Sequence, residues 1–336
     1  MMLKEFSLWS QKLRDGFALA DDFFKTHGGG IVKSPKKIAF VGMGGSGIAG
    51  RIIKTFLDRK EGITSFIIDS SELPAYIDSN TLTFVVSYSG NTWETLDILN
   101  QLNAKFIPTI VIANGGKAVE ISQAKNIPFV LLPKSVAPRA ALGNMLGFLL
   151  GILDKLNVLD GRRKLDIFVK NAEIYVPKFA EVQYFKDFLT IVEGYEFFHV
   201  WGVSGDSAAF AYRAQTQFNE NSKVHCVFSA FPELNHNLIN GFSGCKEHPC
   251  VLMFASEFLS LNMNLAIDAT CDILKENKVA LYKAPILGDT FEGQLFNIIL
   301  WSDFASYYLG KARGVQIENT EVITGLKSKQ KLKGIK

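Results

Sequence analysis

The feature that most restricts the fold is a junction that occurs twice in the first hundred residues: an apolar run, a turn of small residues, then helical spacing. The first copy runs from Lys37–Val41 through Gly42-Met43-Gly44-Gly45-Ser46-Gly47 into a helical segment, Arg51–Leu57. The second runs from Thr83–Val86 through Ser87-Tyr88-Ser89-Gly90-Asn91-Thr92 into Leu96–Leu102. A strand that feeds a helix through a tight turn is the repeating unit of a parallel sheet. It also aims the free N–H groups of the helix start at the space above the strand, where an anion can sit. Gly90 admits a ligand close to the backbone, and Ser87, Ser89 and Thr92 add hydroxyl donors. No lysine ends the turn, as one would in a nucleotide P-loop, so a phosphate monoester suits it better than a triphosphate. Ordinary N-capping by Ser or Thr explains the same residues without any ligand.

The alternation continues with Ser65–Ile68, Thr109–Ala113 and Pro128–Leu132, giving five strands separated by helix-length segments. This predicts an α/β fold with a doubly wound parallel sheet whose ligands bind at the carboxyl ends of the strands. A second series begins at Phe197–Val203, turns at Ser204-Gly205-Asp206-Ser207, and adds a helix from Ala208 to about Phe218. Its further strands are Val224–Phe228, Pro249–Phe254 and Val279–Tyr282. A chain of 336 residues is at the size where one core divides into two. The expected layout is a first domain over 1–155 with a leading packing helix at 5–26, a helical connection over 156–190, and a second domain over 191–336.

Composition narrows the classes of function. A net charge of +3, with no basic block before the lysine-rich tail from Lys327 to Lys336, gives nucleic acid no footprint. The longest apolar stretch, Ala141–Leu156, is broken by Gly143, Asn144 and Asp154 and reads as a buried helix, not a membrane span. Cys226, Cys245, Cys250 and Cys271 form no C-x-x-C pair, which fits a reduced, cytoplasmic protein without a metal.

The first turn also matches G-x-G-x-x-G at Gly42, Gly44 and Gly47, with Asp69 closing the next strand, so an NAD(P)-dependent oxidoreductase is one reading. The second hydroxyl-rich turn opposes it, since a sugar phosphate held between two strand ends uses both turns and a dinucleotide does not. Room for the sugar comes from Gly44 and Gly45, and Ser46 offers a hydroxyl at a helix start. Arg139, in the proline-bracketed loop after the fifth strand, is either a ligand-side cation or a surface charge. Glu220, in Asn219-Glu220-Asn221-Ser222-Lys223, and His236, in Glu233-Leu234-Asn235-His236-Asn237, have the chemistry of a general base and acid. A helix-end surface acid and a loop imidazole are the plain alternatives. His27, His199, His225 and His248 read as structural.

Taken in order, these segments resemble the bifunctional phosphoglucose/phosphomannose isomerases of the SIS (sugar isomerase) superfamily. The resemblance runs from about Lys37 to Lys327 and includes Pro138-Arg139 and Thr320. It implies two SIS-type domains, each an αβα sandwich, and an aldose–ketose isomerase of carbohydrate metabolism, in glycolysis and gluconeogenesis. The reaction implied joins glucose 6-phosphate and mannose 6-phosphate to fructose 6-phosphate through a cis-enediol, with no cofactor. Gly45, Ser46, Ser87, Ser89 and Thr92 would hold the phosphate, and Glu220 would move the proton between C2 and C1. His236 would assist ring opening from the partner subunit of a homodimer. Arg139 would stabilise the enediol charge, Lys327 would act at the ring oxygen or enediol, and Thr320 would let both epimers be accepted. A sugar-phosphate sensor of the same fold without catalysis is the remaining alternative.

Overall fold

The computed structural model describes residues 1–245 and 247–335; Lys246, and Lys336 at the end of the basic tail, lie outside the described residues. The chain opens with helices α1 (Met2–Ser7) and α2 (Trp9–His27). It forms two compact units, one of Leu8–Val169 with the segment from Asn319 onward, the other of Met1–Ser7 with Lys170–Glu318.

The first unit continues with β1 (Lys37–Val41), α3 (Gly44–Leu57), β2 (Thr64–Ile68), β3 (Thr81–Ser87), α4 (Trp93–Ala104), β4 (Thr109–Ala113), α5 (Lys117–Lys125), β5 (Phe129–Leu131) and α6 (Leu142–Lys155). All strands are parallel, in the order β2-β1-β3-β4-β5. The central β3 is buried at every position, as a strand covered on both faces must be. Helix α2 buries Trp9, Leu13, Phe17 and Ala20, one side of a 3.6-residue repeat, and packs along α6. Every residue of α6 from Leu142 to Leu153 is buried. No helix among the described residues is long and apolar enough to cross a membrane.

Within α7 (Gly161–Phe179) the chain passes to the second unit. There follow α8 (Lys186–Val192), β6 (Phe197–Val203), α9 (Ala208–Gln217), β7 (His225–Phe231), β8 (Cys250–Met253), α10 (Leu261–Glu276), β9 (Leu281–Lys283) and α11 (Phe291–Ala312). This sheet is also parallel, ordered β7-β6-β8-β9. Helix α11 is buried along most of its length, and its Trp301 lies against the rings of Phe185, Phe188, Phe254 and Tyr282. The last helix, α12 (Glu321–Leu332), groups with the first unit.

This division departs from the boundaries at 155 and 190 at both chain ends. Helix α1 joins the second unit because Met2 and Phe6 are buried, the Phe6 ring lying tilted against Phe304 and the Met2 N–H donating to Glu318 Oε1 at 2.9 Å. Six residues are too few for a periodicity to reveal such an anchor. Helix α12 buries none of its residues, so its pattern assigns it to neither unit.

His199 of β6 lies beside Phe242, with His248 against the same ring. Burial holds the His199 imidazole below its ordinary value of 6.5. The unfolded chain therefore binds a proton that the folded one refuses, so this stability is complete above about pH 6.5 and is lost as pH falls below it. The melting temperature should drop between pH 7 and 5, and His199→Gln should flatten that drop; an equal acid slope in the variant would contradict this source.

Candidate active site

In the first sheet β1 lies between β2 and β3, so successive crossovers leave β1 in opposite directions. Strands β1 and β3 run in register, Val41 beside Val85, and end together at the crevice that such a reversal opens. The two turns identified in the sequence face this crevice. Helix α3 starts at Gly44, whose φ is +50°. Its first-turn residue Ser46, 7% exposed, accepts the Tyr88 N–H at Oγ over 3.1 Å, which fastens the β1 turn to the β3 turn. A hydroxyl that accepts still has its own proton to donate.

The β3 turn is held from several sides. Gly90 N–H returns to Ser87 O at 2.9 Å with φ +66°, and Ser87 Oγ donates to Thr92 Oγ1 at 3.4 Å. Asn91 N–H donates to Ser89 Oγ at 3.3 Å, and Asn91 Oδ1 accepts Lys117 N–H at 3.1 Å from the neighbouring turn. The Gly90 carbonyl accepts Ala118 N–H at 2.9 Å. Thr92 occupies the N-cap of α4, yet its side chain caps no backbone N–H. Ordinary capping is thus not what its hydroxyl does.

Arg139 is 2% exposed, so the reading of it as a surface charge is corrected. It sits in a 3-10 turn, Pro138–Ala141, whose backbone closes on the first glycine turn: a Cβ on Gly45 would lie 3.2 Å from Arg139 N. A side chain at position 45 would have to push this backbone aside by a few tenths of an ångström. Two contributors escaped sequence reasoning. Tyr88 Oη donates to Pro133 O at 3.2 Å and accepts Ser135 N–H, which fixes the proline-bracketed loop over the turn. Lys12 of α2, 8% exposed, donates from Nζ to Ala140 O at 2.6 Å, next to Arg139. A lysine on a helical face reads as solvated, so only its burial marks it. Asp69, the candidate ribose acid, is ion-paired with Arg51.

The second sheet has the matching reversal at β6, between β7 and β8. Ser207 Oγ accepts Val203 N–H at 2.9 Å and donates to Phe254 O at 2.7 Å, joining the β6 turn to the end of β8 as Ser46 joins β1 to β3. Here, however, the chain's own carboxylate fills the cradle. Asp206, 3% exposed, accepts the Ser256 N–H at 3.2 Å and the Ser256 hydroxyl as well. It takes the donors an incoming anion would use, and its charge opposes a second one.

Glu220 lies in a π-helical turn, Phe218–Ser222, that ends α9. Such turns are rare and frequent at functional sites. Its neighbours are anchored: Asn219 exchanges two hydrogen bonds with Cys226, at 2.9 and 3.0 Å, Asn221 Nδ2 donates to Ser306 Oγ at 3.0 Å, and Ser222 Oγ donates to Ser306 O at 2.7 Å. Glu220 is half-buried between them. His236 is exposed in a 3-10 turn, Glu233–His236, fixed by buried Leu234 and by Thr270 Oγ1 donating to Asn235 Oδ1 at 2.9 Å. Glu220 comes before β7 in the chain and His236 after it, and the strand between them is about 20 Å long at 3.3 Å per residue. Thr320 stands half-buried at the N-cap position of α12 without a side-chain capping bond, and Lys327 is exposed on that helix. Gly45, Ser46, Ser87, Ser89, Thr92 and Arg139 thus lie on the joined turns and loop of the first unit, while Glu220 and His236 are carried before and after β7 in the second.

Among the described residues no group of three or more His, Cys, Asp or Glu side chains could hold a metal ion. Residues 31–127 match the SIS domain family, and residues 189–329 match the bacterial phospho-glucose isomerase C-terminal SIS domain. A bifunctional phosphoglucose/phosphomannose isomerase of Caldicellulosiruptor bescii is 30% identical, over 81% of this chain and 83% of that one. A D-glucosamine-6-phosphate 4-epimerase of Sulfolobus acidocaldarius is 27% identical over 89% and 90%. In three dimensions the chain is similar to a tagatose-6-phosphate ketose/aldose isomerase of Escherichia coli, with a TM-score of 0.67 at 15% identity, covering 95% and 96% of the two chains.

Proposed function

The chain belongs to the bifunctional phosphoglucose/phosphomannose isomerase family, and from that premise we propose that it interconverts glucose 6-phosphate and mannose 6-phosphate with fructose 6-phosphate. The observation that carries the reading is the pair of fastened turns at β1 and β3. They offer two helix starts and the hydroxyls of Ser46, Ser87, Ser89 and Thr92 to one phosphate. With the phosphate fixed, Glu220 takes the proton from C2 of the open-chain aldose and returns it to C1 of the cis-enediol, acting first as base and then as acid. Arg139 stabilises the oxygen that gains charge, a role in which a buried, pre-positioned cation is effective. Lys327 assists at the ring oxygen or the enediol. Thr320 leaves room for rotation about C2–C3, so both epimers are accepted.

His236 opens the ring from a second copy of the chain. The placement of Glu220 before β7 and His236 after it supports this, since a homodimer can bring one end of a strand against the other end of its copy. Action in the cytoplasm fits four unpaired thiols, of which Cys226 and Cys250 are pushed up by burial, Cys250 to about 12. A sensor without catalysis would have no use for a carboxylate mounted as Glu220 is.

A coupled assay with each hexose 6-phosphate tests the activity, and absence of turnover with all three substrates would overturn it. A parallel measurement of configuration at C4 distinguishes epimerisation. Mixing Glu220→Gln with His236→Ala subunits tests the shared site. Random reassortment should restore about one quarter of the wild-type rate, because half the dimers are mixed and each has one intact site. A mixture as inactive as its parents would place both residues in one subunit's site.

A further inference from the structure

Besides its neighbours' anchors, the turn that carries Glu220 rests on a polar seam buried inside the second unit. Arg213, Gln217 and Asn221 lie four residues apart along α9 and its π-helical extension, and all three are 0% exposed. Across from them α11 presents Asp303 and Ser306, at 1% and 0%. Asp303 Oδ1 accepts from Arg213 Nη2 at 3.0 Å and from Gln217 Nε2 at 2.6 Å. One turn along, Ser306 Oγ accepts from Asn221 Nδ2 at 3.0 Å and donates to Asp303 O at 3.0 Å. Apolar residues would bury this contact more cheaply, since an ion pair in a dry interior seldom repays the loss of hydration. What a hydrogen-bonded seam provides and an apolar one lacks is a fixed register between the helices, because sliding or rewinding either one breaks every bond at once.

We infer that this seam holds the wide turn at Phe218–Ser222 and thereby sets the position of the Glu220 carboxylate, with Arg213 and Asp303 as positioning residues. This rests on the proposed role of Glu220 as the proton carrier. An α-helix continued through residue 220 would turn that side chain by a large fraction of a turn, since each extra residue in a π-turn rotates everything beyond it. Misplacing a catalytic group by an ångström is enough to cost roughly a hundredfold in rate.

The test replaces the pair by apolar side chains, Arg213→Met with Asp303→Leu, in the full-length protein. The melting temperature should fall only modestly, because Gln217 Nε2 loses its acceptor while the ion pair is replaced by apolar packing, with KM unchanged and kcat lower by roughly ten- to a hundredfold. In a Glu220→Gln background the same pair of changes should lower kcat no further, because the seam acts only through that carboxylate. Amide exchange at residues 219–222 should quicken in the free protein while α9 stays protected, a readout that does not require the proposed activity. Ser306→Ala, which removes the bonds of that hydroxyl to Asn221 Nδ2 and Asp303 O and leaves the Arg213–Asp303 pair in place, serves if the double variant does not fold, and should lower kcat severalfold at constant KM. Unchanged kcat with unchanged exchange in a folded variant overturns the inference, as does an additive loss in the Glu220→Gln background.

Discussion

Glu220→Gln is expected to bind fructose 6-phosphate as the wild type does and to turn it over at least about a hundredfold more slowly, the usual scale for loss of a general base. The amide keeps the shape of the side chain and removes its capacity to take a proton. The neighbours of Glu220 anchor the turn through their own side chains: Asn219 is held by Cys226, and Asn221 and Ser222 by Ser306. The fold around position 220 should therefore survive, and the phosphate turns at β1 and β3 are untouched. A steady-state comparison with each hexose 6-phosphate, together with ligand-induced stabilisation of the folded state, checks both halves of the expectation. A parallel loss of binding and turnover would contradict the separation of anchoring from proton transfer.

Gly90→Ala should act on the other half of that separation. The added methyl carbon would stand 1.7 Å from the Gly115 carbonyl oxygen and 2.8 Å from its carbon. Both belong to backbone that cannot move aside like a flexible side chain. The φ of +66° adds a further cost of about 1–2 kcal/mol for any residue with a Cβ. The turn must open, and with it go the Ser87–Thr92 contact and the bond from Ala118 N–H to the Gly90 carbonyl. KM should rise at least tenfold, since most of the proposed phosphate donors come from this turn. The rise in melting temperature given by fructose 6-phosphate should vanish, even in a variant whose unliganded stability has been restored by other changes. A wild-type KM in Gly90→Ala would mean that the phosphate is held elsewhere.

These predictions draw on different parts of what the chain encodes. The limits of β1, β4 and β6 coincide with the apolar runs read from the sequence, because each strand is specified by neighbouring residues, with Gly42 closing β1 and Pro108 opening β4. The glycines and hydroxyls of the two anion turns were equally legible, since the chemistry of a turn is local. Arg139 was not: whether it faces water or lies buried depends on where the loop after β5 lands, and that is decided by Tyr88 and Gly45, far away in the sequence. Lys12 and Asp206 were missed for the same reason, since each has a plain local reading and shows its role only through a distant partner, Ala140 or Ser256. Nor does the spacing of α9 announce the π-turn beneath Glu220, whose fixing partners come from α11.

By itself the sequence determined two parallel-sheet halves, the anion turns and the roster of candidate side chains, because strand alternation and turn geometry are set within a few residues. Only the tertiary structure decided which candidates stand together, because that depends on strand order and on hydrogen bonds that span 42 residues from Tyr88 to Ser46 and 90 from Arg213 to Asp303. Such contacts reflect where separate elements are packed, and no local pattern records them.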